Sequence, residues 1–166
     1  MATIWLIGMM GAGKTTVAPL VAARLGRDWV DTDRLVESRS GRSVVELFAE
    51  GEGVFRRAEA EVVRSLLGEP IVVACGGGVV LDEELTASMR SGGFLVWLDA
   101  PPEVLRLRTG PAAERPLLSA GPAGTLLRIL EERLGRYEAA AHAVVVATVP
   151  PQEVAERVIE AWAKSS

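Results

Sequence analysis

Eight residues near the N-terminus, Gly8-Met9-Met10-Gly11-Ala12-Gly13-Lys14-Thr15, have the types and spacing to hold a polyphosphate. They read G-x-x-x-x-G-K-[ST] directly after the apolar run Ile4–Ile7 and ahead of a helical pattern, the context in which such a loop cradles phosphates. Glycines let the chain curl until successive backbone N–H groups face anionic oxygens, and the following helix adds the positive end of its dipole. Lys14 is then within reach of β- and γ-phosphates, and the Thr15 hydroxyl can ligate Mg²⁺.

Three further clusters carry chemical potential. Asp31-Thr32-Asp33 ends an apolar run, where one carboxylate can face a metal and the other an incoming hydroxyl; Asp33 could instead simply cap a helix. Arg56 and Glu59, at i and i+3 on one helix face beside Phe48 and Phe55, suit capture of a carboxylate by a planar guanidinium that an acid orients. The alternative is a surface ion pair worth well under ~1 kcal/mol. Gly76-Gly77-Gly78 follows another apolar run, as expected where a ligand approaches the backbone closely or a turn is crowded. Residues 109–124, rich in Gly and Pro around Arg115, read as a lid that brings Arg115 over the phosphates, or as a solvated loop.

The elements that must position these groups follow from periodicity. Strands are predicted at Thr3–Ile7, Asp28–Thr32, Ile71–Cys75, Phe94–Leu98 and Ala143–Ala147, with little polar alternation, as in a parallel sheet covered on both faces. Helices are predicted from Lys14 to Gly26, with Pro19 bending the first, from a capping box at Ser43 and Glu46, and over Val54–Leu67 after a break at Gly51–Gly53. Four more are predicted at Asp82–Arg90, Pro102–Arg108, Thr125–Tyr137 and Gln152–Lys164. The alternation implies one doubly wound α/β domain over residues 1–166, a three-layer α/β/α sandwich on a five-stranded parallel sheet.

Bulk properties bound the function. With 166 residues and 49% apolar content the chain can bury a full core, and a net charge of −4 argues against nucleic acid. A single cysteine, Cys75, fits a reducing compartment; without a signal or membrane-spanning run, a cytoplasmic protein with no membrane partner is expected. No association element stands out, so a monomer is expected. His142 has no metal-ligand neighbours in sequence and receives no role, while Trp5 and Trp97 are assigned to the core.

Taken together, these motifs resemble the shikimate kinase family from the first strand to the last helix. The resemblance rests on Gly8–Thr15, Asp31-Thr32-Asp33, Val44–Phe48 with Gly51-Glu52 and Phe55–Glu59, Gly76–Gly78, Arg115–Leu118, and Arg133 with Tyr137. It implies a nucleoside-monophosphate-kinase-like P-loop fold. It also implies ATP-dependent phosphorylation of the 3-hydroxyl of shikimate, on the route to chorismate and aromatic amino acids. Gly11, Ala12, Gly13, Lys14, Thr15, Thr16, Arg108 and Arg115 would then bind ATP, with Arg108 against adenine. Asp33, Arg56, Gly77, Gly78 and Arg133 would bind shikimate, in a segment of about residues 33–62 and the later elements. Lys14, Asp33 and Arg115 would be catalytic, and Thr15, with Asp31 through water, would hold Mg²⁺.

Departures from the family pattern are Thr15-Thr16 for Ser-Thr, Pro19, Gly135 for a common Pro, and the lack of an arginine in Ala147–Pro151. Rival readings are a gluconate or nucleoside monophosphate kinase, a GTP-dependent switch, and a ligand-binding protein without activity. The chain contains no asparagine, hence no N-K-x-D guanine motif, and retains Lys14, Asp33, Arg56 and Arg115.

Overall fold

Five apolar runs pair side by side into one parallel sheet: β1 (Thr3–Ile7), β2 (Trp29–Asp31), β3 (Val72–Ala74), β4 (Gly93–Asp99) and β5 (Ala143–Val146). The computed structural model describes residues 2–109 and 122–165. Strand order is β2-β3-β1-β4-β5, with Leu6 opposite Ala74 on one side and Val96 on the other. All of β1 and residues Phe94–Leu98 are buried, because helices cover both faces and leave no polar row. The chain leaves β1 for β2 and β3 on one side and β4 and β5 on the other, so β1 lies at the switch point where ligands collect in such sheets.

Helix α1 (Lys14–Leu25) starts from Gly13 at φ 96° and stops at Gly26 at φ 62°, with Pro19 inside its unbroken span. It packs against α8 (Pro151–Ser165), while α5 (Glu83–Gly92) and α7 (Pro122–Ala140) pack together with a 3-10 turn at Val79–Leu81. Between β2 and β3 the chain makes an excursion through α2 (Thr32–Ser40), α3 (Val44–Glu50) and α4 (Glu52–Ser65). The capping box opens α3: the Glu46 amide donates to Ser43 Oγ at 3.1 Å, and the Ser43 amide donates to the Glu46 carboxylate at 2.7 Å. Gly51 ends α3 and caps α4, at the expected break. Trp5 and Trp97 are buried in the core, as expected.

Of the boundaries that differ from expectation, two bear on the site. The second strand stops at Asp31, and α2 begins at Thr32; the cap is Asp31, which accepts from the amides of Asp33 and Arg34. Asp33 therefore sits in the first helical turn, with its carboxylate released from capping. The second difference is that α7 starts at Pro122 rather than Thr125, so the last three residues of the expected lid segment are helical. Proline suits a first helical position because its missing N–H would have no helical partner there. Helix α6 (Pro102–Arg108) precedes that segment; residues 110–121, including Arg115, lie outside the described residues.

Candidate active site

The phosphate loop is pinned by its neighbours. Gly11 has φ 84°, and a Cβ there would lie 2.8 Å from the Leu105 carbonyl of α6, so no side chain is tolerated. Lys14 is 8% exposed, and its ammonium donates to the carbonyls of Gly8 at 2.6 Å and Met9 at 2.8 Å. Thr15 Oγ1 donates to Asp31 Oδ2 at 2.7 Å, while Asp31 Oδ1 caps α2. One carboxylate thus fixes the end of β2 and the start of α1 together. Thr15 and Asp31 form a pair of hard oxygen donors beside the loop, the type of group that suits Mg²⁺. Among the described residues there is no cluster of three or more His, Cys, Asp or Glu able to hold a metal by themselves.

The acid and guanidinium groups gather around the turn after β3. Arg56 Nη1 donates to Glu59 Oε2 at 2.8 Å, Glu59 is buried, and the guanidinium lies 5.2 Å from the Phe55 ring centroid and 5.6 Å from that of Phe48. The alternative of a solvated surface pair does not hold, since Glu59 is only 2% exposed. Each glycine of the triplet faces a different member of this group. A Cβ on Gly76 would fall 2.5 Å from Glu59 Oε1 and 2.9 Å from Asp33 Oδ1; on Gly77, 3.3 Å from Arg133 Nη1; on Gly78, 2.5 Å from the Arg56 guanidinium carbon. The three glycines are needed because the protein's own polar side chains crowd the turn. Thr32, which sequence reasoning passed over, accepts from the Gly76 amide at 2.9 Å and ties this turn to the start of α2. Its only signal was its place between two aspartates.

Enclosure shapes the charge. Asp33 is half-buried, but its Oδ1 is shut from solvent without a hydrogen-bond partner, as is Glu59 Oε1. Burial, then the neighbouring Asp31 and Glu59 carboxylates, push the Asp33 carboxyl up to about 6 against the opposing pull of Lys14 and Arg56. Burial likewise raises Glu59, with Arg56 as the main counterweight. Asp33 therefore feels Lys14 from the phosphate loop and Arg56 from α4 at once.

A cleft of about 470 Å³ runs from Asp33, Gly76 and Gly77 across Lys14 and Thr15 to Arg108, Val149 and Pro151. At its far end Arg108 Nη1 donates to the Ala147 carbonyl at 2.7 Å, which sets a flat cation beside an apolar wall. Cys75 is buried, which raises its thiol pKa and makes it a packing residue. His142 accepts the Leu95 amide on Nδ1 and stacks on Phe94, at the opposite end of the sheet from the phosphate loop.

Comparison with known proteins agrees with this architecture. The family model described as shikimate kinase matches residues 10–163. A shikimate kinase of Symbiobacterium thermophilum is 51% identical over 144 residues, covering 84% of this chain and 83% of its own. One from Caldanaerobacter subterraneus subsp. tengcongensis is 40% identical over 99% of this chain and 98% of its own. Among solved structures, the shikimate kinase from Acinetobacter baumannii in complex with shikimate superposes with a TM-score of 0.95 at 30% identity, over 100% of this chain and 95% of that one. A gluconokinase from Sinorhizobium meliloti reaches 0.69 at 20% identity over 99% of this chain and 93% of its own, a likeness of fold alone. With its phosphate loop, buried acids and guanidinium groups at one sheet edge, the chain belongs to the shikimate kinase family.

Proposed function

We propose that this chain transfers the terminal phosphoryl group of ATP to the 3-hydroxyl of shikimate, giving shikimate 3-phosphate and ADP. The observation that carries the reading is the convergence on Asp33 of the Lys14 and Arg56 charges, from separate elements, beside the glycine turn. Asp33 holds the shikimate hydroxyls and accepts the proton of the attacking one; a carboxylate with a pKa near 6 is ionised yet basic at neutral pH. Arg56, oriented by Glu59, and Arg133 clamp the shikimate carboxylate, and Gly77 and Gly78 close against the ring. Backbone amides of Gly11, Ala12 and Gly13, with Thr16, cradle the phosphates.

Phosphoryl transfer demands alignment and positive charge more than covalent chemistry. Lys14 and Arg115 supply that charge to the transferring group. Thr15, with Asp31 acting through water, would hold Mg²⁺, which when bound neutralises phosphate charge. Arg108 stacks on adenine. Residues 109–121 act as the lid that excludes water as a competing acceptor.

One chain carries every group named, and we propose that it works as a monomer. A cytoplasmic setting suits the buried single thiol. Among the described residues no helix is long and apolar enough to cross a membrane.

The test is ADP release from MgATP by purified protein with shikimate, gluconate and nucleoside monophosphates in parallel. Release only with shikimate is expected. Release only with gluconate or a nucleotide would overturn the acceptor assignment.

A further inference from the structure

The acceptor clamp has a base that no role above accounts for. Tyr137, on α7 one turn beyond Arg133, is fully buried, and its ring stacks on Trp97 of β4 with centroids 5.8 Å apart and planes 19° apart. Its phenol donates to the Gly77 carbonyl at 2.6 Å, and the positive charge of Arg133 acts on the phenol oxygen. Arg133 itself is 4% exposed, and its Nη1 lies 3.3 Å from the Cβ position of Gly77. From that same position the Gly8 carbonyl is 3.5 Å away and the Met10 amide nitrogen 3.6 Å. At Gly77, therefore, the Tyr137 hydroxyl, the Arg133 guanidinium of α7 and the phosphate loop all meet the turn after β3.

We infer that Tyr137 is a positioning residue that sets Arg133 and Gly77 relative to each other, and so fixes the acceptor's carboxylate relative to the phosphate loop. The inference rests on the acceptor-site reading above. A hydroxyl that donates to Gly77 holds the turn against which Arg133 packs, using one rigid ring whose own orientation is locked by Trp97. Burial holds the phenol proton in place: the Tyr137 pKa is pushed up to about 12, so the donor to Gly77 persists throughout the physiological range. Such a device acts on acceptor binding and alignment. It has no direct contact with the nucleotide side of the cleft, where Arg108 lies.

Tyr137→Phe removes the hydroxyl and keeps the ring stacked on Trp97. Steady-state kinetics with shikimate and MgATP varied separately, calorimetric titration with shikimate, and thermal melting form the experiment, with Arg133→Ala alongside. The expected result is an increase in KM and Kd for shikimate of about three- to thirtyfold, with KM for ATP within about twofold and Tm nearly unchanged. Two results overturn the inference while leaving the acceptor site intact. In one, shikimate affinity is unchanged in Tyr137→Phe but weakened in Arg133→Ala. In the other, KM rises equally for both substrates as Tm falls, the mark of lost packing. If neither variant alters shikimate affinity while wild type turns it over, the placement of Arg133 at the acceptor fails, and the inference with it.

Discussion

The enclosure of Asp33 makes a quantitative prediction about pH. With a pKa of about 6 instead of the ordinary 3.8, Asp33 should be about nine-tenths ionised at pH 7 and only about one-tenth at pH 5. If the ionised form is the base, kcat/KM for shikimate at saturating MgATP falls about tenfold between those pH values. An ordinary aspartate would lose less than about a tenth of its ionised form over the same range. Glu59→Gln supplies the internal control. It keeps a polar partner for Arg56 but deletes one of the negative charges that raise Asp33, so the acid limb should move to lower pH, whatever happens to the plateau. A limb arising from the nucleotide would not move. The assay is coupled ADP release across pH 4.5–8.5, with protein integrity checked at each end. A flat profile from pH 5 to 7, or a limb that Glu59→Gln leaves in place, would refute the electrostatic account.

The same enclosure implies a stability cost. Folding raises the Asp33 pKa above its unfolded value, so ionisation opposes folding above about pH 6, and the penalty vanishes below about pH 3.8. Discounted for partial exposure, that cost is about 1–3 kcal/mol, so Asp33→Asn should melt roughly 2–10 °C higher at pH 8 while losing about 10²–10⁴-fold in turnover. Gly78→Ala puts a methyl against the far end of Arg56, which can swing away; the fold should survive, with shikimate KM raised about tenfold or more and ATP KM unaltered in the same kinetic assay. Gly135 lies inside α7 with no atom near its Cβ position, so Gly135→Ala should add about 1 kcal/mol in denaturant titration without changing activity.

Much of this was legible in the chain itself. The apolar runs mark all five strands to within two residues, because strands buried on both faces admit no polar interruption. The capping box and the Gly51 break state helix limits through local chemistry, which needs no tertiary knowledge. The division of labour between Asp31 and Asp33 was only half legible. Alternation along a strand separates two such carboxylates, yet here a strand-to-helix transition does so, and its position depends on Asp31 meeting Thr15 across elements. The glycine triplet announced crowding but not its source; that source is four side chains from α2, α4 and α7. Tyr137 could be noticed as part of a pattern, but its bond to Gly77 spans 60 residues and has no local trace.

The lysine of the phosphate loop carries a final consequence. Its ammonium is fastened to the Gly8 and Met9 carbonyls, so it serves as a clasp for the very curl in which it sits. A clasped loop keeps its amides aimed inward without help from an anion, and nucleotide capture then requires little backbone reordering. Replacing Lys14 would accordingly unfasten the cup as well as delete a charge. Kinetic losses in such a variant measure two effects together, and only a variant that restores the clasp without the charge can separate them.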